Sequence, residues 1–155
     1  MHNNGITIER IYNAPRQLVW DAWTKPEHFK KWWGPKVFTC PIAEMDVKVG
    51  GKYFWCMRNA EFGDFYTTGT FLEVNPIDSL IYTDSFADAE GNKVGGEYYG
   101  MPAVPKESVV TITLEDLGTK TKMTILHSGI PEGELAEQTT AGWNESFDKM
   151  ASIVE

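Results

Sequence analysis

Four charged or polar residues interrupt the apolar faces of predicted strands. Such side chains become candidates for catalysis or ligand binding if the fold encloses them. His127 and Asp84 each lie in phase with the apolar residues of their strand, and Arg10 and Glu73 hold similar positions in two others. Alternate residues of a strand share one face, so these side chains can reach the covered side of a sheet. Burial shifts pKa values, so a pair that met there could orient a polar ligand or transfer protons. A buried pair that only satisfies itself is the simpler interpretation.

No motif in the sequence supplies a nucleophile, a phosphate site or a metal site. GxSxG, HExxH, P-loop and GxGxxG patterns are all missing. The three histidines, His2, His28 and His127, do not lie at metal-binding spacing with other ligands. Cys40 and Cys56 form no CxxC pair and are predicted to be buried thiols. We therefore expect no metal and no cofactor, and His127 and Asp84 remain the only catalytic candidates.

The composition is that of an ordinary globular protein and restricts the partners. The 155 residues are 42% hydrophobic and 23% charged, which fits one domain over residues 1–155. The formal net charge is −8 and there is no block of Lys and Arg, which argues against nucleic acid and anionic membranes. The first residues lack a leader pattern and no apolar run reaches membrane-spanning length. We expect a cytoplasmic protein without membrane insertion.

Hydrophobic periodicity predicts the elements that must position the polar residues. An alternating strand is followed by two short helices, a series of alternating strands and one final helix with apolar residues at steps of three and four. Pro41 places its strand at a sheet edge or bends it. The predicted strands are 5–12, 37–48, 52–58, 65–74, 79–86, 108–117 and 119–128, and the predicted helices are 15–24, 26–33 and 134–155.

This order predicts an α+β fold in which an antiparallel sheet of about six or seven strands curves around the C-terminal helix. Consecutive strands with short turns make a meander, and a strongly twisted sheet of this size curls. The concave face must be covered, and only the last helix is long enough to cover it. The space between sheet and helix is a natural ligand cavity. The long segment 87–107, which carries Tyr99 and Met101, is either a lid or a cover for the core.

Aromatic residues make up 13% of the chain and supply most candidate cavity residues. Neighbouring Trp32 and Trp33 must diverge, so we predict that one anchors the short helices and the other lies at the cavity mouth. Gly142 in the final helix predicts a close approach to the backbone. The candidate ligand-binding residues are Trp32, Trp33, Phe38, Trp55, Met57, Phe71, Tyr82, Asp84, Phe86, Tyr99, Met101, His127, Trp143 and Phe147.

Four stretches of the chain resemble one protein family. They are RIYNAPRQLVWDAWTKPEHFKKWWGP, MDVKVGGKY, GTFLEVNPIDSLIYTDSF and AGWNESFDKM. Together they resemble the homologues of the activator of the 90-kDa heat-shock protein's ATPase, within the START-like (SRPBCC, helix-grip) superfamily that also holds polyketide cyclases. The resemblance implies the helix-grip fold, a cavity for a hydrophobic ligand and a link to a chaperone.

Three functions follow as hypotheses. The first is binding of a small hydrophobic molecule that is aromatic, polyketide-like or lipid-like. The second is a cyclase or hydrolase that uses Asp84 or His127 as acid or base. The third is a protein-interaction domain with a chaperone partner. The three hypotheses stay open because one superfamily carries many functions. Homodimerisation through an edge strand or exposed rings is also left open, because the sequence does not decide it.

Overall fold

One antiparallel sheet and one long helix form the frame of the protein. The computed structural model describes residues 5–155, so His2 lies outside the described part. The elements are β1 (Gly5–Tyr12), α1 (Arg16–Thr24), α2 (Pro26–Phe29), β2 (Thr39–Met45), β3 (Lys52–Asn59), β4 (Gly63–Asn75), β5 (Ser79–Ala87), β6 (Lys93–Val94), a 3₁₀ helix (Gly96–Tyr99), β7 (Ser108–Asp116), β8 (Thr121–Ser128) and α3 (Glu134–Val154). The strands pair in the order β1-β8-β7-β5-β4-β3-β2, and the short β6 pairs with β5.

The architecture confirms the predicted α+β fold with a curved sheet around the C-terminal helix. Strands β1 and β2 form the two edges, and Pro41 lies in β2, where a proline costs no central hydrogen bond. The pairing of β2 with β3 shifts register between Thr39 and Ile42, so the strand is also bent there. The proline predicted either an edge position or a bend, and this strand has both.

Two segments differ from the sequence-based prediction. The second helix was predicted to reach residue 33, but α2 ends at Phe29 and the chain continues as a turn. The segment 87–107 was predicted as a loop, but it contains β6 and the 3₁₀ helix. This segment is held down by Tyr99, whose hydroxyl bonds to the carbonyl of Ala87 and accepts the backbone N–H of Tyr66. Tyr99 is therefore an anchor for the segment.

A β-bulge places Glu73 on the opposite face of β4 from the one predicted. Phe71 pairs with Tyr82 whereas Glu73 pairs with Ile81, so one extra residue of β4 lies between the two pairs. The extra residue reverses the alternation, and Glu73 is exposed, where its carboxylate accepts a hydrogen bond from Ser79. The prediction that Glu73 shares the apolar face of Phe71 was wrong.

Arg10 is explained by an ion pair with the helix. It lies on the buried face of β1, between Ile8 and Tyr12, and its guanidinium is 2.7 Å from the Asp148 carboxylate of α3. The guanidinium also lies 5.5 Å from the centre of the Tyr12 ring. Arg10 therefore joins the sheet edge to the helix.

Trp32 caps the end of α1 from the core. A helix end leaves its last carbonyl groups without backbone partners. Here Pro26 follows the helix closely and has no backbone N–H to donate to them. The Trp32 indole N–H donates to the carbonyl of Ala22 over 2.8 Å, and both residues are fully buried. Trp32 is thus the anchoring member of the two adjacent tryptophans.

The core fills one end of the space between sheet and helix. The C-terminal half of α3 lies there with Phe147, Met150 and Val154 buried. The sheet contributes large residues at the matching ends of its strands, and α1 and α2 close the side. Among the largest fully buried residues are Trp23, Trp32, Trp55, Tyr12, Tyr82, Phe29, Phe71 and Phe147. The other end of the space, under the N-terminal half of α3, is a cavity.

Candidate functional site

The cavity has a volume of about 300 Å³ and lies between the sheet and the first four turns of α3. This volume is at the lower end of the usual range for small-molecule sites. Apolar side chains form most of its wall: Trp33, Met57, Phe86, Met101, Val104, Ile130, Leu135 and Trp143. The wall also contains polar side chains from the concave face of the sheet. A site of this composition is suited to a largely apolar molecule with one polar group.

The polar wall is assembled by the register of four strands. Ser108 of β7 pairs with Asp84 of β5, and Thr67 of β4 pairs with Phe86, two residues further along the same face. On the other side, His127 of β8 pairs with Val110, which shares a face with Ser108. We call Thr67, Asp84, Ser108 and His127 the polar wall. Antiparallel pairing therefore brings together residues that are distant in the chain.

His127 is fixed by two hydrogen bonds. The Trp143 indole N–H donates to its Nδ1 over 3.1 Å, and its Nε2 lies 2.9 Å from the Ser108 hydroxyl. An indole nitrogen can only donate, so Nδ1 must carry a lone pair. The proton of the neutral imidazole is then on Nε2, and His127 donates to Ser108. This network assigns both the tautomer and the ring orientation.

Asp84 has one partnered oxygen and one free oxygen. Its Oδ1 is 3.1 Å from the Tyr53 hydroxyl, which also lies 2.8 Å from the carbonyl of Thr83. Its Oδ2 is 3.7 Å from His127 Nε2, too far for a hydrogen bond. The Asp84 side chain is 22% exposed and lines the cavity. The second oxygen is therefore available to a ligand.

Burial displaces both ionisable groups of the polar wall toward their neutral forms. Removal from water raises the pKa of Asp84, and the nearby His127 and the Tyr53 hydroxyl oppose that shift. Removal from water lowers the pKa of His127, and Asp84 opposes this shift. A proton on His127 Nδ1 would also meet the Trp143 N–H, which favours the neutral imidazole for a second reason.

Thr67 is an unpaired polar group of the cavity wall. Its side chain is 9% exposed, and its hydroxyl has no hydrogen-bond partner among the described residues. Buried hydroxyls without a partner are uncommon in native proteins and call for an explanation. The Oγ1 atom itself is enclosed, although other atoms of the residue line the cavity.

The turn after α2 forms one part of the cavity wall. Trp33, Gly34 and Pro35 line the cavity, and a Cβ added to Gly142 of α3 would lie 3.5 Å from Pro35 Cγ. That distance is an ordinary contact, so the predicted close approach at Gly142 is made by Pro35 without requiring glycine. Lys149 ties the same turn to α3, because its ammonium donates to the carbonyls of Pro35 and Phe38.

Half of the predicted cavity residues lie on the wall and half lie elsewhere. The residues on the wall are Trp33, Met57, Asp84, Phe86, Met101, His127 and Trp143. Trp32, Trp55, Phe71, Tyr82 and Phe147 are instead fully buried in the core. Trp32 lies there because it packs under α1 from the turn after α2, and the other four because they occupy the core ends of their strands or of α3. Phe38 packs against Phe65, and Tyr99 packs against Phe65 and Phe86. These seven are corrections to the predicted set.

Sequence reasoning missed Thr67 and Ser108. Both are small polar residues in predicted strands, and neither carries a motif. The signal for Ser108 was its pairing with Asp84, which depends on a strand register that the sequence does not reveal. Thr67 was available from alternation, since it lies four residues before Phe71 on the same face of β4.

Two classes of site are absent from residues 5–155. No group of three or more His, Cys, Asp or Glu side chains in this range could hold a metal ion. None of the helices in the same range is long and apolar enough to cross a membrane.

Comparison with known proteins identifies the family. Residues 13–155 match the family described as Activator of Hsp90 ATPase homolog 1-like protein. Protein CV1439 from Chromobacterium violaceum is 31% identical, with a TM-score of 0.81 over 98% of this chain and 97% of that chain. Protein NE0264 from Nitrosomonas europaea is 26% identical, with a TM-score of 0.76 over 97% and 93%.

A third structure extends the comparison to lower identity. The AHSA1 protein SPO3351 from Silicibacter pomeroyi is 20% identical, with a TM-score of 0.77 over 96% of this chain and 95% of that chain, which shows a shared fold. A search among curated proteins found no match. The family match spans more than nine-tenths of the chain, and the resemblance seen in the sequence is confirmed: the protein belongs to the family of Activator of Hsp90 ATPase homolog 1-like proteins.

Proposed function

We propose that the protein binds a small hydrophobic molecule of aromatic, polyketide-like or lipid-like character in the cavity under α3. The observation that carries this proposal is the cavity itself, about 300 Å³ with a mostly apolar wall and one polar side. An unpaired buried hydroxyl at Thr67 and a free carboxyl oxygen at Asp84 both belong to that side. Such a site gains free energy from burial of apolar surface and gains specificity from a few polar contacts.

The geometry of His127 favours binding over nucleophilic catalysis. A base that activated Ser108 would need a lone pair on Nε2, and the proton would then have to lie on Nδ1. The Trp143 N–H points at Nδ1 over 3.1 Å, so that tautomer would bring two protons together. His127 is therefore a donor toward Ser108 and does not accept its proton.

A second candidate function rests on Asp84. Its carboxyl group has a raised pKa and an oxygen accessible from the cavity, which are the properties of a general acid. A cyclase or hydrolase reaction on a bound molecule would use this group. The measurement that separates the two functions is whether a bound compound is recovered unchanged after incubation with the protein.

Thermal-shift screening with a matched pair of variants tests the proposal. Flavonoids, sterols, fatty acids and polyketides are screened, because a ligand at 100 times its Kd adds about 2.7 kcal/mol to the stability of the folded state. Thr139→Phe fills the cavity from α3, whereas Asn144→Phe places the same ring on the exposed side of the helix.

We expect at least one compound to stabilise the wild type selectively. Its thermal shift should be lost in Thr139→Phe and retained in Asn144→Phe. A hit that binds both variants with unchanged affinity places the ligand outside the cavity and contradicts the proposal. If no class shifts the wild-type protein, the cavity binds none of these molecules and the remaining hypothesis is a protein-interaction domain with a chaperone partner.

A further inference from the structure

The charges around the cavity are one-sided. No Lys or Arg is among the residues that line it, and its ionisable residues are Asp84 and His127. Lys149 donates to the two carbonyls of Pro35 and Phe38, and Lys36 and Lys106, the chain neighbours of the lining residues Pro35 and Pro105, are exposed and do not line the cavity. A carboxylate or phosphate group on a ligand would therefore find no counter-charge and would face the Asp84 carboxyl group.

The polar wall presents an acceptor to the ligand. The Asp84 Oδ2 atom has no hydrogen-bond partner within range, while Oδ1 is held by the Tyr53 hydroxyl. His127 is kept neutral and uses its Nε2 proton on Ser108, so it supplies no positive charge to the carboxyl group. A ligand group that donates hydrogen bonds to Oδ2 would satisfy the acceptor that the protein leaves open.

Aromatic rings and the overall charge favour a positively charged donor. Trp33 and Trp143 both line the cavity together with Asp84. Indole faces attract cations, most strongly where water is excluded. The protein carries a net charge of −8, which draws cations toward it and repels anions.

We propose that the ligand is a hydrophobic amine whose ammonium group pairs with the Asp84 carboxylate inside the cavity. This inference rests on the proposed function and adds the chemistry of the polar end. The apolar skeleton lies against the rings and methionines of the wall, and the ammonium group donates to Asp84 Oδ2.

Binding of an amine also requires a change at Asp84. The groups that face this carboxyl are Tyr53 of β3, Tyr82 of its own strand and His127 of β8. The two tyrosines and the neutral His127 carry no positive charge that could pair with it. Burial raises the Asp84 pKa in the free protein, and a bound ammonium lowers it again. We therefore expect that amine binding releases protons at a pH near the Asp84 pKa of the free protein.

The test uses matched compounds that differ only in their polar group. Naphthylmethyl and adamantylmethyl skeletons are each measured as the primary amine, the alcohol and the carboxylic acid, by isothermal titration calorimetry at pH 7.5. A hydrogen bond to a charged group is worth more than a neutral one, so the amine should bind about 10- to 100-fold more tightly than the alcohol. The carboxylate should bind more weakly than the alcohol.

Two variants separate the pairing from nonspecific charge attraction. Asp84→Asn keeps the shape and removes the charge, and Glu137→Gln removes one negative charge from the exposed surface of α3. We expect Asp84→Asn to bring the amine and the alcohol to similar affinities and Glu137→Gln to keep the wild-type preference. Calorimetry in buffers of different ionisation enthalpy measures the proton release.

The outcomes distinguish this inference from the proposed function. Equal binding of amine and alcohol to the wild type, or a preference that survives in Asp84→Asn, overturns the amine and leaves the cavity as a binding site. If none of the compounds binds, both the inference and the proposed function are contradicted for naphthylmethyl and adamantylmethyl compounds. A preference that disappears only in Asp84→Asn supports the pairing.

Discussion

Replacement of Trp32 by phenylalanine tests the view that one of the two adjacent tryptophans is structural. The change removes the indole N–H that donates to the Ala22 carbonyl at the end of α1. Both residues are fully buried, so no water can replace the lost donor without rearrangement. An unsatisfied buried carbonyl costs about 1–3 kcal/mol. Besides the nitrogen, the change removes two buried ring carbons, worth about 2 kcal/mol at the usual value per buried carbon. The expected loss of stability is about 3–5 kcal/mol.

The matched control is the neighbouring substitution Trp33→Phe. Trp33 is only half-buried and lines the cavity, stacked on Phe29 with ring centres 4.8 Å apart. Removing part of this ring should cost about 1 kcal/mol, because fewer of its atoms are withdrawn from water. Both variants are measured by urea denaturation with the slope of each transition checked against the wild type. If Trp32→Phe costs no more than Trp33→Phe, the hydrogen bond to α1 contributes nothing and the reasoning is refuted.

Four further predictions concern α3 and the polar wall. Gly142→Ala should stabilise the protein by about 1 kcal/mol in urea denaturation, because alanine favours a helix and the new methyl group makes only an ordinary contact with Pro35; a loss of stability would contradict this. Thr67→Val should be neutral or stabilising by up to about 1 kcal/mol, since it removes a buried hydroxyl that has no partner within residues 5–155; a loss above about 1 kcal/mol would mean that the hydroxyl is satisfied by bound water. Burial raises the Asp84 pKa, so the contribution of Asp84 to stability is complete below its ordinary pKa of about 3.9 and is lost as the pH rises through the raised value. The free energy of unfolding of Asp84→Asn should therefore increase relative to that of the wild type as the pH rises from 4 to 8. Burial lowers the His127 pKa, so its contribution is complete above about pH 6.5 and is lost as the pH falls below that value; His127→Gln should flatten that part of the stability profile.

The faces of the strands could be predicted from the sequence because alternation has a fixed period. Leu80, Tyr82, Asp84 and Phe86 were placed on one face of β5, and the structure has Leu80 and Tyr82 in the core and Asp84 and Phe86 on the cavity wall. What alternation does not report is the position along the strand at which the core ends. That boundary depends on how the helix crosses the curved sheet, which is a property of the whole fold.

Two local errors have equally physical causes. Glu73 was placed inside because one inserted residue in β4 reverses the alternation, and a bulge leaves no clear signal in a single sequence. Ser108 was overlooked because its importance comes from pairing with Asp84 and bonding to His127. Both residues became interpretable only with the register of the neighbouring strands.

The start of α3 has a kinetic consequence. Gly133 precedes the helix with a φ of 115°, and no side chain caps the first turn. A serine or aspartate cap at this position would be strained, because side chains other than glycine rarely adopt that backbone conformation. The first turns cover the cavity while the last turns are packed in the core, so the two halves of one helix differ in local stability.

We expect backbone amides of the first turns to exchange hydrogen for deuterium by local opening, well before those near Phe147 and Met150, which need global unfolding. A ligand that enters by this opening would associate at a rate that levels off at high concentration, set by the helix and not by diffusion.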